Sequence, residues 1–541
     1  MADPVLAIDN LRVALPPGAD RAFAVDGVSL AIERGRTLCV VGESGSGKSV
    51  MATTVMGLLP KEVRATEGNV RLAGESLLTA TPARLRELRG QAMGMVFQEP
   101  MTALNPVMRC ADQVDELLRT HKADWSAAQR KAEILRVFDR VKLPEPQRIA
   151  ASFPHQLSGG QRQRIVIACA VILKPLLLIC DEPTTALDVT TQKEILSLID
   201  ELQREQGSAV LFITHDMGVV ADIADTVLVM NQGKPVEIGT RDEVLHKPRA
   251  AYTRMLLDSV PGITPPPARP EPTGSAVVEG RGVCKTYVAR DWLGRERSTY
   301  ALRDAHLSLR AGETVGVVGE SGSGKSTFAR CLIRLIDPSA GQITWAGDEV
   351  ATCSESRLRA LRHRVQVVFQ DPNRSLNPRL RIGESLIEGA VNFGTPRDEA
   401  RHRAADLMDK VRLPREGLER YPSQFSGGQR QRLAIARALA CKPAVLVADE
   451  AVSALDVSVQ AQILELLRSI QAELRLGLLF ITHDLRVAAQ LCDRVIVMHQ
   501  GRIVEEGKTG EVYAAPKHEY TRKLFAAAPG GNARPGPSRS P

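Results

Sequence analysis

The sequence predicts an α/β protein of two tandem domains of one kind, each built on a parallel sheet that carries a phosphate-binding loop. Three observations carry that reading. The stretch GESGSGKS at residues 42–49 returns as GESGSGKST at residues 319–327, and both fit G-x-x-x-x-G-K-[ST] without a mismatch. Each copy follows a short apolar run, residues 37–41 or 314–318, as a parallel strand buried on both faces should. Lys48, Gln98, Ser158, Glu182 and His215 then recur in the same order as Lys325, Gln370, Ser426, Glu450 and His483, so the halves are repeats.

Size and composition fit two such domains. A chain of 541 residues exceeds what one core supports, and 44% apolar with 25% charged residues is ordinary for a globular protein. The net charge of +7 is spread among interspersed acids and bases, without the basic blocks of a nucleic-acid arm. No apolar run approaches the ~20 residues needed to cross a bilayer. The opening MADPVLAIDNL lacks the form of a signal peptide, so a cytosolic chain is expected. The nine cysteines are scattered with no C-x-x-C pair, which points to reduced core residues.

Each loop has a local physical reading. Gly42, Gly45 and Gly47, with Ser44 between them, let successive N–H groups turn into one concavity that a polyphosphate fills; Gly319, Gly322 and Gly324, with Ser321, repeat this. Lys48 and Lys325 reach the outer phosphates, Ser49 and Ser326 hold Mg2+, and Thr327 extends the second set. A helix should follow, its N-terminus facing the anion. Met51, Val55, Leu58 and Leu59 before Pro60, and Phe328, Leu332, Leu335 and Ile336 before Pro338, have the spacing for it.

In chain order, strands are expected at residues 6–15 and 24–32. Short strands at 93–97 and 365–369 end in Gln98 and Gln370, placed to touch Mg2+ or an attacking water; singly, such a glutamine is an ordinary strand-end residue. Residues 101–152 and 374–421 turn helical, with runs at 127–141 and 397–411. LSGGQRQR at 157–164 and FSGGQRQR at 425–432 put Ser158, Gly159, Gly160 and Gln161, and Ser426, Gly427, Gly428 and Gln429, at a second anion-accepting helix start. Apolar strands at 176–180 and 444–448 end in Asp181 with Glu182 and Asp449 with Glu450. Paired acids there are costly unless a cation sits beside them, and Mg2+ with a polarised water meets that need. Strands at 210–214 and 478–482 end in His215 and His483, candidate γ-phosphate contacts. These boundaries give a first domain at 1–259, a proline-rich, extended spacer at 260–275, a second domain at 276–528 and a disordered tail at 529–541.

With those motifs in hand, both halves resemble nucleotide-binding domains of ABC transporters, carrying Walker A, Q-loop, signature, Walker B, D-loop and H-loop in order. The resemblance implies a P-loop α/β core with an antiparallel β subdomain and an α-helical subdomain. QEPMTALNP at 98–106, QDPNRSLNP at 370–378, DEPTTALDVTTQ at 181–192, DEAVSALDVSVQ at 449–460, AYTRMLL at 251–257 and EYTRKLF at 519–525 resemble the ATPases of dipeptide, oligopeptide and nickel importers, two subunits fused in one.

That resemblance implies hydrolysis of ATP with Mg2+, Glu182 and Glu450 polarising water while Asp181 and Asp449 serve the metal. It implies head-to-tail pairing, so that each ATP meets the loop of one domain and the signature of the other. Tyr287 would stack on adenine in the second half; Leu15 or Phe23 occupies that neighbourhood in the first. The partners implied are two membrane permease subunits and an extracytoplasmic binding protein, with this chain on the cytoplasmic face of the membrane, importing dipeptides or short oligopeptides; glutathione, nickel chelates and other small solutes stay open. Ala451 departs from the usual proline, which would loosen the turn after Glu450. No iron–sulfur centre is expected, since residues 181–283 hold no cysteine. The rival class, a soluble twin-domain ATPase acting on ribosomes or nucleic acid, would carry a long charged helical linker or zinc-binding cysteines, and neither is in the sequence.

Overall fold

The strand Thr37–Val41 is buried at all five positions, and its side chains part by alternation: Leu38 and Val40 enter one core, Cys39 and Val41 another. That division organises each half of the chain, as a computed structural model describing residues 3–98, 100–185, 187–270, 272, 274–290, 296–453 and 455–528 makes plain. The expected disorder of residues 529–541 lies outside the described residues. Contacts divide the chain into two units, meeting in sequence between Val260 and Pro261.

In the first unit a six-stranded sheet runs in the order Lys234–Thr240, Thr226–Asn231, Thr37–Val41, Ala209–Ile213, Leu177–Asp181, Met93–Val96. It is parallel except at the edge strand Lys234–Thr240. A separate antiparallel sheet joins Phe23–Ile32, Leu6–Ala14, Arg64–Leu72 and Glu75–Ser76. One core lies between this sheet and Leu38, Val40, Ile179, Leu211 and Ile213. The opposite face, through Cys39, Cys180, Val210 and Phe212, packs with the helices Cys110–His121, Ala127–Arg140 and Gly159–Val171.

The second unit repeats the plan. Its six-stranded sheet runs Val365–Val368, Val445–Asp449, Gly477–Thr482, Thr314–Val318, Arg494–His499, Arg502–Lys508, and its antiparallel sheet joins Glu296–Arg310, Ala276–Arg290, Ala340–Trp345 and Asp348–Glu349. The first unit has Cys39 and Ala224 in one core, at the positions the second unit fills with Gly316 and Cys492. A Cβ on Gly316 would come within 2.7 Å of the Cys492 sulfur, so volume has moved across the contact between strand and helix. All nine cysteines are free.

The helices after the two loops are shorter than their apolar spacing predicts. They end at Val55 and Leu332, leaving Leu58 and Leu335 exposed. Both stop in the same way. Gly57 and Arg334 take the left-handed conformation, and the next N–H reaches back to Thr53 or Arg330, closing the last carbonyls before Pro60 or Pro338 is reached.

The described residues of the proline-rich segment form no helix or strand, yet the segment is pinned to the second unit. Ile263 packs against that unit's core, and the Gln490 side chain donates to the carbonyls of Gly262 and Thr264. Arg269 pairs with Asp493 at 3.0 Å and donates to the Leu491 carbonyl. In the first unit the equivalent acid, Asp225, is met by Arg36. The second unit has Glu313 at that position, so an arginine from the connecting segment takes the role. Arg269→Ala is therefore expected to destabilise the second unit by about 1 kcal/mol. Thermal unfolding checks this, and an unchanged melting temperature would contradict it.

Candidate active site

The backbone of both loops requires its glycines at two points. Gly42 and Gly319 have φ of 152° and 149°, and a Cβ there would lie 2.1 or 2.3 Å from the carbonyl oxygen of Met230 or Met498. Gly47 and Gly324, at φ 100° and 104°, sit against the carbonyls of Ala24 and Ala301, whose oxygens would lie 2.2 and 2.7 Å from a Cβ. So tight a curl folds each loop over its own lysine. The Lys48 ammonium donates to the carbonyls of Gly42 at 2.6 Å and Glu43 at 2.9 Å; Lys325 donates to Gly319 and Glu320, both at 2.7 Å. Burial lowers the Lys325 pKa, opposed by the charges of Glu450 and Asp449. Ser44, Gly45, Ser321 and Gly322 are exposed at the loop crests, while Thr327 is half-buried in the helix.

The metal candidates meet across each unit. Ser49 Oγ donates to Asp181 Oδ1 at 3.0 Å, and Ser326 Oγ to Asp449 Oδ1 at 2.9 Å. A hydroxyl and a carboxylate are the hard oxygen donors Mg2+ takes, and it completes its shell with phosphates and water, so these residues fit the ion. Asp181 is shifted upward, chiefly by burial, with the Ser49 bond opposing; a cation beside it would relieve that cost.

Both neighbouring glutamates take an unusual backbone. Glu182 has φ 47° and Glu450 φ 52°, a left-handed conformation costing about 1–2 kcal/mol outside glycine. The N–H of Glu182 bonds the Ile213 carbonyl, which turns the side chain out of the strand line. There Glu182 Oε2 accepts from Gln98 at 3.0 Å and Thr185 at 2.9 Å, and lies 3.3 Å from His215 Nδ1. Burial pushes this carboxyl up, but the bond and charge of His215, the Thr185 hydroxyl and the Lys48 charge outweigh it and hold it at about 2. Glu450 is lowered in the same way against burial, by His483, whose Nδ1 lies 3.6 Å away, and by the charges of Lys325 and Arg330. A carboxylate with a lowered pKa is a weaker base, better suited to orienting water than to removing its proton outright.

The two sets differ in detail. Gln370 donates to Ser453 Oγ at 3.2 Å rather than to the glutamate, and Ser453 donates to the Glu450 carbonyl. Arg330 lies 3.4 Å from Asp449, where the first unit has Thr53 bonded to its own helix. The loosened turn expected at Ala451 is not seen: Ser453 N bonds Glu450 O at 3.2 Å, the length of the matching Thr185–Glu182 bond, and Ala451 is buried.

The signatures stand on the helices Gly159–Val171 and Gly427–Leu439. Ser158 and Gln161, and Ser426 and Gln429, form reciprocal capping boxes. Gly160 and Gly428 are required by packing, since a Cβ would meet Thr191 at 2.7 Å or Val459 at 2.4 Å. Gly159 and Gly427 face open space, so internal packing does not explain them. Tyr287 is exposed on the strand Ala276–Arg290, with the Lys285 ammonium 5.2 Å from its ring centre. Phe23 is half-buried beneath the Arg12 guanidinium, and Leu15 is half-buried.

Sequence reasoning missed five contributors: the Thr185 and Ser453 hydroxyls, Arg330, and the tyrosines Tyr252 and Tyr520 of the helix that closes each unit. Tyr252 Oη accepts from Glu43 N at 3.4 Å and Tyr520 Oη from Glu320 N at 3.1 Å. The repeated Y-T-R triplet was the available signal.

Most of the chain is similar in sequence to known proteins. The family profile described as "ABC transporter" matches residues 25–185 and 302–453, and "Oligopeptide/dipeptide transporter, C-terminal region" matches 236–285 and 504–537. The glutathione import ATP-binding protein GsiA of Shigella boydii serotype 4 is 45% identical over 97% of this chain and 89% of its own. That of Escherichia coli K12 is 44% identical over the same shares. A solved dimeric ATP-binding cassette bound to ADP and Pi is 31% identical over 43% of this chain and 98% of its own, with a TM-score of 0.39. Two loops with their lysines, serines and paired acids, inside a family match covering more than half the sequence, lead to one conclusion: this chain belongs to the ABC transporter family, as an ATP-binding and ATP-hydrolysing member with two cassettes in tandem.

Proposed function

We propose that this chain energises the import of short peptides or peptide-like solutes, glutathione foremost, through a membrane permease pair supplied by an extracytoplasmic binding protein. The observation that carries the substrate reading is the similarity to glutathione import ATP-binding proteins along 97% of the chain, joined by the oligopeptide/dipeptide profile at the end of each cassette. Among the described residues no helix is long and apolar enough to cross a membrane, so a permease must come from other chains. The working position is the cytoplasmic face of the membrane, where ATP is available.

The roles proposed within the cycle follow from phosphoryl-transfer physics, in which positioning and charge stabilisation dominate. The loop N–H groups with Lys48 or Lys325 hold the β- and γ-phosphates. Ser49 with Asp181, and Ser326 with Asp449, hold Mg2+, which neutralises phosphate charge when bound. Gln98 and Gln370 lie at the metal and water side. Glu182 and Glu450 orient the attacking water, and His215 and His483 keep them ionised and meet the γ-phosphate. The signature serines and their glycines contact bound nucleotide. Both sets are complete, so both cassettes hydrolyse ATP.

Cells lacking this gene are expected to lose most uptake of labelled glutathione, with wild type restoring it and the Glu182→Gln, Glu450→Gln chain failing to. Loss of dipeptide uptake alone would move the substrate to ordinary peptides. Unchanged uptake across both would reject the import reading.

A further inference from the structure

The C-terminal tyrosine of each unit grips the peptide plane that orients the loop lysine. The peptide between Gly319 and Glu320 offers its carbonyl to the Lys325 ammonium at 2.7 Å and its N–H to the Tyr520 phenol oxygen at 3.1 Å. The first unit repeats the arrangement: the Gly42 carbonyl meets Lys48 at 2.6 Å, and the Glu43 N–H meets Tyr252 at 3.4 Å. A peptide unit is planar, so fixing its N–H fixes the direction of its C=O. Without that hold the plane would be unusually free, because it starts at a glycine in the left-handed half of backbone space, φ 152° or 149°.

The phenol is itself held in place. Tyr520 stacks on His499, ring centroids 4.0 Å apart, at the end of the strand Arg494–His499, and it packs against the unit's main core. Tyr252 packs on the matching core of the first unit. Both rings project from short helices, Ala251–Asp258 and Glu519–Ala526, whose buried Thr253 and Leu256, or Thr521 and Leu524, dock them. A chain of contacts thus runs from each C-terminal helix through one phenol and one rigid peptide to the ammonium that meets the nucleotide.

We propose that Tyr252 and Tyr520 are positioning residues for ATP binding, acting through the Gly42–Glu43 and Gly319–Glu320 peptides on Lys48 and Lys325, so that the helix closing each cassette sets the affinity of its own phosphate loop. The test uses the full chain with Tyr252→Phe, Tyr520→Phe and both together. Phenylalanine keeps the ring and its packing and removes only the oxygen. The KM for ATP is expected to rise about three- to tenfold in the double variant, with kcat within about twofold. Tyr520→Phe is expected to contribute more than Tyr252→Phe, having the shorter bond. Phe525→Leu loosens the same helix where it packs on Tyr513, ring centroids 4.6 Å apart, without touching the loop, and should leave KM as it is. An unchanged KM in the double tyrosine variant, or an equal KM rise in Phe525→Leu, would overturn the proposal.

Discussion

Steady-state ATP hydrolysis by the Glu182→Gln, Glu450→Gln chain is expected to fall on the order of 10²–10³ while ATP binding persists. The amide keeps the size of the side chain and removes the charge that His215 and His483 hold ionised against burial. Binding survives because the loop, Lys48 with Lys325, and the Ser49–Asp181 and Ser326–Asp449 pairs are untouched. Each single variant should remove its own cassette's share, and their difference measures what the Gln98–Glu182 and Gln370–Ser453 arrangements contribute. A double variant hydrolysing at the wild-type rate would place the water-orienting group elsewhere.

An aspartate at the first signature glycine separates nucleotide contact from fold. Gly159→Asp with Gly427→Asp should lower the ATPase rate by about 10² or more while the melting temperature holds or rises. The physics has opposite signs for the two readouts. A Cβ at either position meets nothing closer than 4.0 Å, and an acid in the first turn of a helix stabilises it by about 0.3–1 kcal/mol. The same charge facing a phosphate costs several kcal/mol of binding. The adjacent Gly160→Ala and Gly428→Ala should instead lower the melting temperature, since the added methyl meets Thr191 or Val459. Undiminished hydrolysis in the aspartate variant would show that these helix starts never meet a nucleotide.

Much of this was legible in the sequence because backbone chemistry leaves marks there. The strands before the loops are continuous apolar runs since both faces are buried, and the periodicity at 127–141 and 397–411 gave helices ending one residue earlier than expected, at Arg140 and Lys410. Leu58 and Leu335 misled because apolar spacing continues past the point where Gly57 and Arg334 turn the chain, and a left-handed arginine has no sequence signature. The proline-rich segment reads as an extended, semi-rigid spacer because what pins it, Arg269 on Asp493, joins positions more than two hundred residues apart. The left-handed Glu182 and Glu450 were invisible for a related reason: their conformation is imposed by the Ile213 and Ile481 carbonyls of neighbouring strands.

The count of ATP molecules retained by the Glu182→Gln, Glu450→Gln chain tests the central claim most directly, with labelled ATP and Mg2+ followed by rapid removal of free nucleotide. Two complete sets of loop, lysine, serine and acid pair predict a plateau of two ATP per chain. A plateau of one, or none, would contradict it.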